Sequence, residues 1–204
     1  MRRIKNKQGK FNLIDNNGEI VYKSKWLDFL GNFHNGYANI QTSKGWNWID
    51  EHGNLLFDNE WFQYCANVIT HKIAIVKPFN EKWQFRKLNG EWLTTMTFDY
   101  YDAFNEGFAG IYDKQKGWNF INIKGKILSP NMWFDSIDCF ENGFGVVFIK
   151  DKGYNLINTQ GNVISDIWFD EIIDYFENDT NNIHVRIKSN NYSISKNGDI
   201  QQTS

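Results

Sequence analysis

An amide side chain recurs through this chain at Asn12, Asn47, Gln84, Asn119 and Asn155, in steps of 35, 37, 35 and 36 residues. Each amide offers two N–H donors and a carbonyl acceptor, so a column of them could grip a polar ligand along a central axis. The same groups could bond the backbone or one another as a structural ladder, because a buried amide must be satisfied somewhere. The ladder is the expectation, and a ligand channel is the alternative. Three acidic pairs, Asp99/Asp102, Asp135/Asp138 and Asp170/Asp174, invite calcium or acid–base chemistry. They lack the glycine-bearing Asp-x-Asp-x-Asp loop of a calcium site, and aspartate at the start of a turn most often caps its own backbone. His34, His52, His71 and His184 occupy unrelated places, with no His-Glu-x-x-His or Gly-x-Ser-x-Gly nearby. Cys65 and Cys139 show no CxxC spacing, so two free thiols are expected, with no disulfide and no metal site. No catalytic residue and no cofactor is assigned, and the expectation is a protein without enzymatic activity.

One stretch, 61 to 101, mixes aromatics and cations: Trp61, Tyr64, Trp83, Arg86, Trp92 and Tyr101. Such mixtures populate binding hot spots and stacking sites. These six, together with Asn47 and Asn119 of the amide column, are the candidate ligand- or partner-binding residues. Arg86, Lys87 and Arg186 are the cations that an anionic ligand such as a nucleotide signal would need. Ordinary drift of one segment accounts for the same stretch and is the favoured reading, with a binding site as the alternative.

The elements that must hold these residues repeat. "GWNWIDEHG" at 45 to 53 returns as "GWNFINIKG" at 117 to 125 and as "GYNLINTQG" at 153 to 161. Turn glycines fall at Gly18, Gly53, Gly90, Gly125, Gly161 and Gly198. An alternating stretch ahead of each glycine and a short apolar run after it predict a hairpin of strands b and c. A further run before b, such as "YANIQ" or "FAGIY", predicts strand a. Between copies lies a connector, seen as "WLDFLGNFHNG" at 26 to 36, "TFDYYDAFNEG" at 97 to 107, "WFDSIDCFENG" at 133 to 143 and "WFDEIIDYFEN" at 168 to 178, with room for a short fourth strand.

The sum is an all-β chain of six three-stranded repeats of about 36 residues, forming one repeat domain over 1–204. The copies run approximately 2–36, 37–72, 73–107, 108–143, 144–182 and 183–204. Strand b is apolar on both faces, with Trp46 and Trp48 on one side and Ile49 on the other. Such strands belong in a layered stack, propeller-like or β-solenoid.

The pattern aromatic-x-aromatic-Ile-Asp-x-x-Gly, a "FD" or "YD" connector and then "FNEGFAGI" at 104 to 111 resembles the WG-repeat proteins of bacteria. The similarity rests on Trp46, Trp83 and Trp118, on the Ile49-Asp50 and Ile121-Asn122 steps and on the turn glycines. It departs at the glycine that follows the tryptophan in the family, where this chain has Asn12, Asn47, Asn119 and Asn155, with Gln84 and Ser193 in the other two copies. The resemblance implies an architecture and a generic binding role, and carries no catalytic residues across.

Composition narrows the function classes. A 41% hydrophobic share with Trp 9, Tyr 9 and Phe 17 is enough to build a core and favours strands. The formal charge of -2 supplies no overall basic footprint, so nucleic acid is not expected as a partner. No run approaches the length of a membrane span, and the basic start "MRRIKNKQGK" is not followed by an apolar stretch, so no membrane association and a cytoplasmic location are expected. Abundant Lys and Asn with Pro 2 point to a bacterial or phage source. The expected role is a binding or scaffold module for an unknown protein or peptide. The alternative is a small-molecule, nucleotide-signal or glycan binder using the amide ring or the aromatic patch around Trp83.

Overall fold

The computed structural model describes residues 1–23, 25–58, 60–67, 69–174 and 182–203. The last part of the connector at 168 to 178 lies outside them. Every regular element among the described residues is a strand, and all strand pairs are antiparallel. The all-β repeat expected from the sequence is therefore present. Among the described residues, no helix is long and apolar enough to cross a membrane.

Strands fall into six small sheets, one per copy. The first pairs a (Arg2–Lys5) with b (Phe11–Ile14). The second is Phe29–Leu30, Tyr37–Thr42 and Gly45–Asp50, and the third is Tyr64–Cys65, Ile73–Lys77 and Gln84–Lys87. The fourth is Tyr100–Tyr101, Phe108–Asp113 and Gly117–Asn122, and the fifth is Ser136–Glu141, Phe144–Ile149 and Gly153–Asn158. The sixth runs Glu171–Ile172, Asn182–Ile187, Asn190–Ser195 and Ile200–Gln202. In sheets two to six the first strand comes from the connector and pairs forward with strand a.

Strand c differs from its expected form in all but the last copy. It meets b as isolated bridges, Ile14↔Ile20, Ile49↔Leu55, Arg86↔Trp92, Ile121↔Ile127 and Ile157↔Val163. It then leaves b and returns one turn later at Phe11↔Leu27, Trp46↔Phe62, Trp83↔Phe98, Trp118↔Phe134 and Tyr154↔Phe169. The returning residue is fully buried each time: Leu27, Phe62, Phe98, Phe134 and Phe169 are at most 1% exposed. The aromatic of the "FD" motif is thus a core residue.

The connector-to-a turn is a two-residue hairpin with left-handed backbone at both positions, as at Asn35 (φ 51) and Gly36 (φ 84). The connector leading into the third sheet builds the same turn from His71 (φ 50) and Lys72 (φ 60), which costs a side-chain-bearing residue about 1 kcal/mol. Lys72→Gly is therefore expected to raise stability by about 1 kcal/mol, read as a higher melting temperature. A lower melting temperature would show that the Lys72 side chain contributes more than its backbone strain costs.

By contact the chain divides into two compact bodies of three sheets each, Met1–Phe98 and Asp99–Ser204. Within each, the core lies between consecutive sheets. Leu13, Leu27, Ala38, Ile40 and Ile49 fill the space between the first and second, and Trp48, Phe57, Phe62, Ala74 and Val76 that between the second and third. In the second body, Phe120, Phe134, Phe140, Val147 and Ile157 form one layer and Val146, Leu156, Phe169, Ile183, Val185 and Ile194 the next. No sheet buries its face alone, which is why the copies must stack.

Candidate functional site

The amide column is buried: Asn12 is 1% exposed, and Asn47, Asn119 and Asn155 are 0%. Each of these asparagines bonds the backbone of its own copy. Asn47 Nδ2 donates to the carbonyls of Phe57 (2.8 Å) and Glu60 (2.6 Å), while its Oδ1 accepts from Trp48 N (2.7 Å). Asn119 repeats this with Ser129 O (2.7 Å), Met132 O (3.0 Å) and Phe120 N (2.8 Å). Asn12 does so with Tyr22 O and Leu13 N, and Asn155 with Ser165 O and Leu156 N. The amide therefore fills the gap where segment c swings away from b. Both its donors are used, so Asn47 and Asn119 present no free amide N–H to a ligand. Gln84, one methylene longer, donates to Glu81 Oε2 (2.7 Å). The sixth copy has Ser193 here, and there c pairs by main chain, with Ser193 opposite Gln201.

The first aspartate of each acidic pair caps a hairpin. Asp99 accepts from Lys114 N (2.9 Å), Asp135 from Lys150 N (2.7 Å) and Asp170 from Lys188 N (2.5 Å), each connector aspartate closing the a-to-b turn of the copy that follows it. Asp138 accepts from Cys139 N and Asp174 from His184 N. Burial and the neighbouring Asp138 raise the Asp102 carboxyl above its ordinary range. Burial pushes the Cys65 thiol well up, and burial with the Asp138 charge raises Cys139 above its ordinary value, so both thiols are held protonated. Among the described residues, no three His, Cys, Asp or Glu side chains are grouped to hold a metal.

The candidates between 61 and 101 separate into distinct places. Arg86 lies 4.5 Å over the Trp92 ring and 4.8 Å over Phe57, bonds Gly90 O (2.9 Å) and pairs with Glu60. With its side chain only 12% exposed, Arg86 ties the third copy to the second. Tyr64 and Trp83 form a second pair, with ring centroids 6.4 Å apart and Lys77 5.9 Å over Tyr64. Trp61 packs on the core between the first two sheets. Tyr101 pairs with Ile111 in the second body. The cations offered to an anionic ligand all have carboxylate partners: Arg86 with Glu60, Lys87 with Glu91 (3.0 Å) and Arg186 with Glu171 (2.6 Å).

A feature missed in the sequence is a row of side chains crossing each sheet at one register. Phe29, Gln41 and Trp46 stand directly opposite one another in the second sheet, and Tyr100, Tyr112 and Trp118 in the fourth. Opposite positions share a face, so their side chains meet. Ring centroids are 5.3 Å apart for Phe29–Trp46, 5.8 Å for Tyr100–Tyr112, 5.1 Å for Tyr112–Trp118 and 4.7 Å for Phe148–Tyr154. Tyr64–Trp83 is the row of the third sheet. In the sixth the row is Glu171, Arg186 and Asn191, joined by polar contacts. The outer members Phe29, Tyr64 and Tyr100 are 39%, 49% and 58% exposed. The sequence signal was the residue directly after the connector's Asp or Gln, aromatic in three copies.

Residues 87–116 match the model of the family described as WG containing repeat. No curated protein matches the chain. Among solved structures, similarity is found to the computationally designed Ika8 protein, with 12% identity and a TM-score of 0.45 over 99% of this chain and 70% of that one. BamB from Moraxella catarrhalis matches with 10% identity and a TM-score of 0.41, over 98% of this chain and 65% of its own. The WD40 beta propeller domain of Doa1 matches with 12% identity and a TM-score of 0.35, over 95% and 74%.

Proposed function

Starting from a chain that carries the WG-containing repeat, matched at residues 87–116, we propose that it is a non-enzymatic binding or scaffold module that engages a protein or peptide partner through the outward aromatic rows that each body carries by itself. The observation that carries this reading is the recurrence of an exposed aromatic at one register, at Phe29, Tyr64 and Tyr100, each beside a second ring. Half-exposed aromatics on a rigid sheet give large contact area at low entropy cost, which is what hot spots require. A cytoplasmic location and the absence of catalysis belong to the same proposal. A central amide ring finds no support as a ligand site, since its N–H groups bond their own backbone.

The test is capture from native lysate with wild type and with the double variant Tyr64→Ser/Tyr100→Ser. Both side chains are exposed and lie on two-residue strands, so the circular dichroism spectrum is expected to stay unchanged. A protein held by wild type and lost by the variant supports the reading. Retention of the same partner by the variant rejects the rows as the site, and a small molecule co-eluting in place of any protein moves the function to ligand binding.

A further inference from the structure

Asn-Gly occurs five times, at Asn17-Gly18, Asn35-Gly36, Asn89-Gly90, Asn142-Gly143 and Asn197-Gly198, each time in a turn. This dipeptide carries latent chemistry, because glycine has no Cβ to screen its peptide nitrogen from the preceding side chain. That nitrogen can attack the asparagine Cγ. Attack needs three freedoms: an amide side chain that can rotate, a peptide N–H that is not firmly bonded, and backbone with room to move. The structure grants them unequally.

Four of the five pairs are held by their surroundings. Asn35 Nδ2 donates to Ile69 O (2.9 Å), which fixes its side chain. Gly143 N, the nucleophile of its pair, donates to Glu106 Oε2 (2.8 Å), and Asn142 N donates to Oε1 of the same carboxylate (2.9 Å). Asn89 Oδ1 accepts from Glu91 N (3.1 Å), so that amide is tied into its turn. Gly198 packs on the preceding copy, where a Cβ would lie 2.1 Å from Ile164 O, so the backbone beside Asn197 has no room to turn.

Asn17 differs on each count. It is exposed, as are Asn16, Gly18 and Glu19. Among the described residues nothing bonds its side-chain amide, and only its main-chain N–H is used, donating to Asp15 Oδ1 (2.8 Å). No atom lies within 4 Å of a Cβ built on Gly18. Gly18 N donates to Asp15 O at 3.2 Å, against 3.0 Å for Gly90 N to Lys87 O and 2.9 Å for Gly198 N to Ser195 O. Of these b-to-c turns, the first therefore holds the attacking nitrogen most weakly.

Independently of the binding-module reading, we infer that Asn17 is a site of spontaneous modification, at which the folded chain loses ammonia and becomes isoaspartyl. The Gly18 nitrogen bonds to Asn17 Cγ and closes a five-membered succinimide. The Cγ–Nδ2 bond breaks, and Nδ2 leaves as ammonia with the proton given up by Gly18 N. Water then opens the ring. Opening at the side-chain carbonyl leaves an aspartate; opening at the main-chain carbonyl leaves isoaspartate, with a further methylene in the backbone of the turn. Either product sets a new carboxylate between Asp15 and Glu19.

The experiment is prolonged incubation of the full chain at mildly alkaline pH, with peptide mapping by mass spectrometry and labelling by an isoaspartate-specific methyltransferase. A parallel sample is kept unfolded in guanidinium chloride. In the folded chain Asn17 is expected to lose its amide about tenfold faster than Asn35, Asn89, Asn142 or Asn197, and in the unfolded chain the five rates are expected to converge. Asn17→Gln, which would need a larger ring, is expected to abolish methyl labelling of this turn while leaving the glycine backbone as it is. Gly18→Ala, whose Cβ screens the nitrogen, is expected to do the same. Another Asn-Gly reacting first, equal rates at all five in the folded chain, or an Asn17 lead that persists unchanged in guanidinium chloride overturns the inference. So does an aspartate product without any isoaspartate, which would show hydrolysis that bypasses the ring.

Discussion

Asn119→Ala is expected to destabilise the second body by about 3 kcal/mol, seen as a lower urea midpoint with an unchanged slope. Asn119 is fully buried and serves four backbone groups: the carbonyls of Ser129 and Met132 and the N–H groups of Phe120 and Ser129. Main-chain pairing between b and c ends at Leu128 N to Phe120 O and resumes at Phe134 N to Trp118 O. Between these points the Asn119 amide bridges b to the departing segment. Removing it strands two part-buried carbonyls, and each unsatisfied group costs about 1–3 kcal/mol before water repairs part of the loss. Asn119→Asp tests the donors separately, because a carboxylate cannot donate to two carbonyls. It is expected to be at least as harmful at neutral pH and to recover partly on acidification, as the introduced carboxyl gains a proton. In the sixth copy Ser193→Ala is expected to cost less than about 0.5 kcal/mol, since c is held there by its own ladder. An Asn119→Ala variant within 1 kcal/mol of wild type would show that the swing of c is stable without its filler.

Gly161→Ala is expected to cost about 3 kcal/mol or more, through two independent terms. Its φ of +88 disfavours any side chain. A Cβ at this position would also lie 2.1 Å from the Leu128 carbonyl oxygen of the preceding copy, and backbone cannot move aside as a flexible side chain would. Gly53 against Val21 and Gly198 against Ile164 make the same approach, so the b-to-c turn of one copy rests on segment c of the one before. The substitution therefore strikes the junction between copies. Loss of the melting transition of the fifth and sixth sheets with the first body intact is the expected pattern, followed by fluorescence of Trp168 against that of Trp46 in single-tryptophan backgrounds. A variant that melts with wild type would mean that the junction gives way without cost.

Some of this was legible in the letters. Period and strand positions were readable because turn glycines and alternating apolar residues obey backbone sterics and burial that act locally. The structural role of the amides and the capping role of Asp99, Asp135 and Asp170 followed from residue chemistry. Segment c was misjudged as a continuous strand, because its departure from b depends on a side-chain amide reaching residues ten and thirteen further along. The patch at 61 to 101 looked like one cluster in sequence, yet Trp61 faces core, Arg86 faces Glu60 and Tyr101 belongs to the other body.

By itself, then, the sequence determined an all-β chain of six hairpin-based copies, since repetition and turn chemistry are properties of neighbours along the chain. Only the tertiary structure decided which aromatics are core and which form exposed rows, because Phe62 and Tyr64 differ by two letters and lie on the same alternation. Charge and exposure at a site are sums over strands brought together by pairing, and pairing registers are set by contacts far apart in sequence.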